Sequence, residues 1–219
     1  MGSARRARIG RPPASDAAPT AERILSAALE LFAARGFAAT SVRQIAAAVG
    51  VTDAALYSHF AGKQAIFDRL LETMGPPTPA LVGLDAAVMS GAAPEVVIPT
   101  AIDRLLAYWT QPQVRMFTAV LLREGSRGAA AAQLASSIEA ARDALTPRFE
   151  AWQRAGQLRA DVPARQIVWE LLAPLNVIRF LYLGHDATPS ELAHARQMAA
   201  EHLDYFRACT FTTTEGSST

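Results

Sequence analysis

Thr52, Asp53, Ala54 and Ala55 stand just after Gly50, and Arg43, Tyr57, His59 and Lys63 flank them. A threonine at a helix start can offer its hydroxyl and the free backbone N–H groups around it to a phosphate or a base edge. Aspartate accepts from cytosine N4, and an alanine methyl suits the thymine methyl. Arg43 can reach a phosphate or a guanine. Positions 52–55 hold no Arg, Asn or Gln, so bidentate reading of guanine or adenine from this stretch is limited. Plainer roles exist for the same residues. Tyr57 and His59 could instead pack between helices, and Asp53 also complements the positive end of a helix dipole.

Bond-breaking chemistry finds little here. Glu191-Leu192-Ala193-His194 has the Glu-x-x-His spacing of helical di-iron proteins, but those sites need two such motifs and further inward glutamates. Only one occurs. There is no Gly-rich phosphate loop, nucleophile elbow or metal-spaced Cys/His cluster. The sequence therefore implies no enzyme, no metal and no cofactor. The competing classes are a helical metal-dependent enzyme and a protein-interaction module, the latter marked by a lack of salt-sensitive DNA binding.

The elements that must position the first group are legible from local signals. Thr20 reads as an N-cap, with Glu22 in the first turn. Ile24, Ala28, Leu31 and Phe32 then form an apolar face at helical spacing. Gly36 can take positive φ after Arg35, letting Phe37 fold back on Phe32. Ser41-Val42-Arg43-Gln44 is a capping box that opens a second helix running to Val49 and ended by Gly50. Thr52 caps a short third helix through Tyr57. A fourth, Lys63 to Met74, carries Ile66, Phe67, Leu70 and Leu71 on one side. Gly75-Pro76-Pro77 breaks the pattern. Further helices are expected over Pro79–Ser90, Pro94–Thr110, Pro112–Glu124, Ala129–Gly156, Pro163–Leu183 and Pro189–Ala208.

Composition sets the frame. Of 219 residues 51% are hydrophobic and only 7% aromatic, with alanine supplying much of the apolar count. That mix favours helices. Lys63 is the single lysine among 21 basic residues. The net charge of +1 divides unevenly: residues 1–74 carry nine basic and six acidic side chains (+3), the rest twelve and fourteen (−2). A basic bias at one end suits a nucleic-acid face. Cys209 is alone, which implies a reducing compartment, and no apolar run is long enough to span a bilayer. A cytoplasmic protein without a membrane segment is expected.

Ala46, Gly50 and Leu56 have the small residue, turn glycine and aliphatic anchor of a helix-turn-helix. With ILSAALELFAARGF, TSVRQIAAAVGV, ALYSHF and GKQAIF, the stretch from Thr20 to Met74 resembles the DNA-binding domain of the TetR (tetracycline-repressor) family. Gly62 stands where that family often has Ser, an acceptable N-cap in its own right. The resemblance implies an all-α chain: an N-terminal three-helix helix-turn-helix DNA-binding domain followed by a helical ligand-binding and dimerisation bundle. It makes Tyr57, His59 and Lys63 contacts to the DNA backbone. The implied divisions are a flexible basic arm over 1–19, the DNA-binding domain over 20–74, the ligand and dimer domain over 75–209 and a disordered tail over 210–219. Arg5, Arg6, Arg8 and Arg11 of the arm suit either a DNA groove or solvent.

In the second part, Ile167 to Leu183 is apolar on nearly every face, so burial from two sides is expected, one of them by a second subunit. Leu192, Ala195, Ala199, Leu203 and Phe206 give the last helix a matching stripe. The resemblance also implies an effector pocket. Trp109, Met116, Phe117, Trp152, Trp169 and Asn176 are its candidate lining, with Arg104 or Arg179 as polar anchors. The expected function is a homodimeric regulator, a repressor released from a palindromic double-stranded DNA operator by a small, mostly apolar effector.

Overall fold

A computed structural model of the chain describes residues 18–75, 92–124 and 129–212. The expected basic arm up to residue 17, the helix expected over Pro79–Ser90 and the tail from residue 213 lie outside the described residues.

The described residues form helices α1 (Thr20–Arg35), α2 (Val42–Val49), α3 (Asp53–Tyr57), α4 (Lys63–Met74), α5 (Pro94–Trp109), α6 (Pro112–Glu124), α7 (Ala129–Arg154), α8 (Ala164–Tyr182) and α9 (Pro189–Thr210). Their only β pairing is an isolated antiparallel bridge between Leu158 and Phe211. Local chemistry explains most ends. Ser41 and Gln44 close the expected capping box on α2, and Gly50 ends that helix in the left-handed region at φ 76, ψ 33. Thr188 and Glu191 form a second capping box, on α9. One expectation shifts by a residue: Pro19, not Thr20, is the N-cap of α1 and supplies no side-chain bond. Its fixed φ places the chain at the helix entrance instead.

Two apolar clusters hold the helices. The first joins Ile24, Ala28, Leu29 and Phe32 of α1 to Ile45, Ala46 and Val49 of α2, Leu56 of α3, and Ile66, Phe67, Leu70 and Leu71 of α4. It also contains Phe117, Val120 and Leu121 of α6. Four rings run through it, with centroids 5.2 Å apart for Phe32–Phe37 and Phe37–Phe67 and 5.7 Å for Phe67–Phe117. Each such pair is worth about 0.5–1.5 kcal/mol beyond its buried area. The short N-terminal helices thus complete their core only with a helix from the second half of the chain.

The second cluster gathers α5, α7, α8 and α9 around Trp109, Leu145, Phe149, Trp152, Val168, Leu175 and Phe206. Ala195 and Ala199 of α9 are fully buried in it, with Leu192 and Leu203 packed against it. The α9 stripe therefore faces its own subunit, which corrects the expectation that it matches a partner. On α8 one side is buried (Ile167, Leu171, Leu175, Ile178). The other side leaves Trp169, Val177 and Leu181 exposed by 38%, 54% and 66%.

Residues 210–212, expected in a disordered tail, are held by the fold instead. Thr210 is buried, its hydroxyl donating to the Phe206 carbonyl. Backbone bonds Arg159 N–H to Thr210 O (2.9 Å) and Thr212 N–H to Gln157 O (3.2 Å) then tie residues 210–212 beside the end of α7.

Candidate nucleic-acid interface

The turn between α2 and α3 is built to hold a short helix at the surface. The Val51 N–H donates to Ala46 O at 3.0 Å, closing the turn over an alanine small enough to be buried there. Leu56, wholly buried, is the side chain that anchors α3. With Leu56 turned inward, Thr52, Asp53, Ala54, Tyr57 and His59 are exposed, and Ala55 is half-buried. Thr52 Oγ1 accepts from Ala55 N–H at 3.2 Å, and as an exposed hydroxyl it keeps its own hydrogen free to donate to a ligand. Tyr57 is 55% exposed, a phenol presented to solvent instead of packed as its alternative role required. Arg43 is exposed in the first turn of α2 and has no ion pair among the described residues.

Lys63 is placed differently. Its Nζ donates to the carbonyls of Phe37 (2.6 Å), Thr40 (2.8 Å) and, longer, Ala38 (3.4 Å), and lies 4.3 Å from the Phe37 ring centroid. An ammonium has three hydrogens. Here they point into the α1–α2 connection, which gives Lys63 a positioning task within the domain.

Several residues that fix this surface carry no local sequence signal. Arg23 of α1 donates to Val49 O at 2.6 Å and holds the end of α2. Thr40, 2% exposed, bonds back to Gly36 O at 2.8 Å. Arg123 at the end of α6 caps α1 through Ala33 O (3.0 Å) and Ala34 O (3.1 Å). Tyr108 of α5 donates to Gly75 O (3.0 Å) and Thr73 O (3.2 Å), and so grips the end of α4. In each case a donor satisfies carbonyls that a helix end leaves open.

The candidate effector residues divide into four groups. Trp109 and Arg179 meet, the guanidinium lying 5.2 Å from the indole, and Trp152 shares their cluster. Met116 and Phe117 belong instead to the N-terminal core, because that side of α6 packs on α1 and α4. Arg104 and Trp169 face outward, Trp169 beneath Arg142 at 4.9 Å, so the helical phase removes both from an internal lining. Asn176 bonds within its own helix to Leu172 O at 3.0 Å. Two cavities, of about 280 and 210 Å³, flank α9, and none of the eight residues is in their walls. No group of three or more His, Cys, Asp or Glu among the described residues is placed to hold a metal. No described helix is long and apolar enough to cross a membrane.

Known proteins share this arrangement. Residues 24–70 match the family model described as bacterial regulatory proteins, tetR family. The HTH-type transcriptional repressor Rv3405c of Mycobacterium tuberculosis is 31% identical over 152 residues, covering 69% of this chain and 72% of that protein. The HTH-type transcriptional regulator SrpR of Pseudomonas putida is 31% identical over 117 residues, and there the match spans about half of each chain (53% and 52%). Among solved structures, SmeT, the repressor of the Stenotrophomonas maltophilia multidrug efflux pump SmeDEF, superposes with a TM-score of 0.68 at 20% identity over 90% of this chain and 92% of its own. Salmonella enterica GusR gives 0.64 at 24% identity over 89% and 97%. These two likenesses are of fold.

Proposed function

Since the chain belongs to the TetR family of bacterial regulatory proteins and is a DNA-binding transcriptional regulator rather than an enzyme, we propose that it is a cytoplasmic repressor acting as a homodimer. Its two copies of α3 occupy half-sites about one helical turn apart, roughly 34–36 Å, and a small, mostly apolar effector releases them. The observation that carries this reading is the outward set Arg43, Thr52, Asp53, Ala54, Tyr57 and His59 around the buried anchor Leu56. Thr52 and Arg43 serve as phosphate or base contacts, Asp53 to Ala55 as the sparse base readers, and Tyr57 and His59 as backbone contacts.

Dimerisation is assigned to the outer side of α8. Trp169, Val177 and Leu181 repeat there at helical spacing, and Tyr205 of α9 is 70% exposed. Soluble monomers rarely leave an apolar patch of that kind open to water. Because α6 lies in the same core as α1 and α4, an effector that shifts α6 alters the separation of the two α3 helices.

Selection of bound sequences from random duplex DNA tests the proposal. An inverted repeat is expected, bound with an affinity that falls steeply as salt rises. Failure to enrich any sequence, or salt-insensitive binding, would overturn it.

A further inference from the structure

Arg179 of α8 lies against Trp109 of the second cluster and is 1% exposed. Buried charges are normally paired, because a cation withdrawn from water loses its hydration without return. Among the described residues no carboxylate pairs with it. Its Nε and Nη2 both donate to one oxygen, Thr118 Oγ1, at 3.1 and 2.8 Å. That hydroxyl in turn donates to Val114 O at 2.9 Å. The rings of Trp109 and Phe180, 5.2 and 5.8 Å away, supply some cation–π attraction but accept no ordinary hydrogen bond. Burial pulls the guanidinium down to about 10, so at neutral pH it is still charged.

A second observation lies beside the first. Trp109 Nε1 is buried and has no hydrogen-bond acceptor among the described residues. An indole N–H can only donate. Elsewhere the fold does satisfy such a group: the Trp152 N–H donates to Ala92 O at 3.0 Å. The other two buried nitrogens without partners among the described residues, Arg142 Nε and Arg148 Nε, belong to guanidiniums already held by Glu139 (2.8 Å) and Ala92 O (2.8 Å). At Arg179 and Trp109 a wholly buried cation that lacks a counter-charge among the described residues adjoins a donor that lacks an acceptor.

We infer that the effector carries an oxyanionic head group, such as a carboxylate, which docks between Arg179 of α8 and Trp109 of α5, its apolar body lying among the surrounding side chains. This rests on the reading of the chain as an effector-released regulator. An oxyanion supplies the negative charge Arg179 lacks and an acceptor for the indole N–H in one group. It also competes for the donors that Arg179 directs at Thr118. That residue follows Phe117 of the N-terminal core, and Tyr108, which grips the end of α4, precedes Trp109. The head group therefore touches both helices that stand behind the DNA-facing surface.

The test is calorimetric titration of the full chain with benzoate, phenylacetate and octanoate, each against its own neutral amide. At least one acid is expected to bind roughly tenfold more tightly than its amide, the scale of a charge-assisted bond. Arg179→Met should abolish that preference. Trp109→Phe, which keeps a ring and removes only the N–H, should weaken the acid several-fold and the amide, a weaker acceptor, by less. If Arg179→Met does not fold, the Trp109→Phe pair decides. Acids that bind no better than their amides, or a preference that survives both substitutions, overturn the inference. Selected operator DNA is titrated into the same preparations. Wild-type chain that binds operator yet shows no acid preference refutes this inference alone, whereas wild-type chain without sequence-selective DNA binding refutes the repressor reading.

Discussion

Replacing Lys63 by methionine keeps the apolar stem and removes only the ammonium, which isolates its bonds to Phe37, Thr40 and Ala38. Hydrogen bonds to a charged donor are worth about 1.5–3 kcal/mol when both partners are shielded. Here the two short ones are half-shielded and water can re-enter, while the Phe37 contact adds about 0.5–1 kcal/mol. The net loss is about 2–3 kcal/mol. For a chain of this size each kcal/mol moves Tm by about 2–4 °C, so a fall of about 5–10 °C is expected. Thermal unfolding by circular dichroism measures it. Operator binding is then followed across a salt series, at a temperature where wild type and variant are both folded. Affinity should drop while the slope of log K against log salt stays the same, because no phosphate contact is lost. An unchanged Tm with a slope reduced by about 1 would show that the ammonium leaves its carbonyls for DNA, and the positioning role would be wrong.

Three further outcomes follow from the geometry. Val177→Glu should yield a folded monomer by sedimentation, whereas Leu203→Glu should lose helicity because Leu203 packs on its own core; a folded, dimeric Val177→Glu protein would place the interface elsewhere. Gly50→Ala should lower the denaturant midpoint by the equivalent of about 1–2 kcal/mol with the m-value unchanged, and Gly50→Asn by less, since φ is +76 and a Cβ there meets no neighbour; equal effects would argue against a backbone cause. Asp161, held down to about 2 by its bonds from Arg159, should show that value by NMR titration and return toward 3.8 in Arg159→Gln. Between those values the unfolded chain binds more protons than the folded one, so this pair's small contribution is present above about 4 and fades as pH falls toward 2. Identical titration in the two proteins would refute the coupling.

The ends of α2 and the start of α3 could be read from the sequence because their causes are local: a capping box four residues long, a glycine with positive φ, a capping threonine. The residues exposed on α3 were legible for the same reason, since fixing Leu56 inward fixes the phase of its neighbours. What could not be read is which side of a helix a distant partner covers. Leu192, Ala195, Ala199 and Leu203 form an apolar stripe whether they meet a second subunit or α5 of the same one, and only the packing decides. The long-range donors were hidden too. Arginines 23, 115 and 123 close carbonyls 26 to 90 residues away, and a composition rich in arginine does not say which of them do so.

The packing of α6 bears on how such a protein can be recombined. A chimera that joins residues up to 74 to a foreign sensor would cut between Phe67 and Phe117, whose rings stand 5.7 Å apart. It would leave Ala33 O and Ala34 O without Arg123 and Thr73 O without Tyr108. The reading head is thus not a detachable cassette whose border can be found along the chain. Its border is a surface that crosses α6, and a functional graft must carry the inward side of that helix, Phe117, Val120 and Leu121, together with the residues before 75.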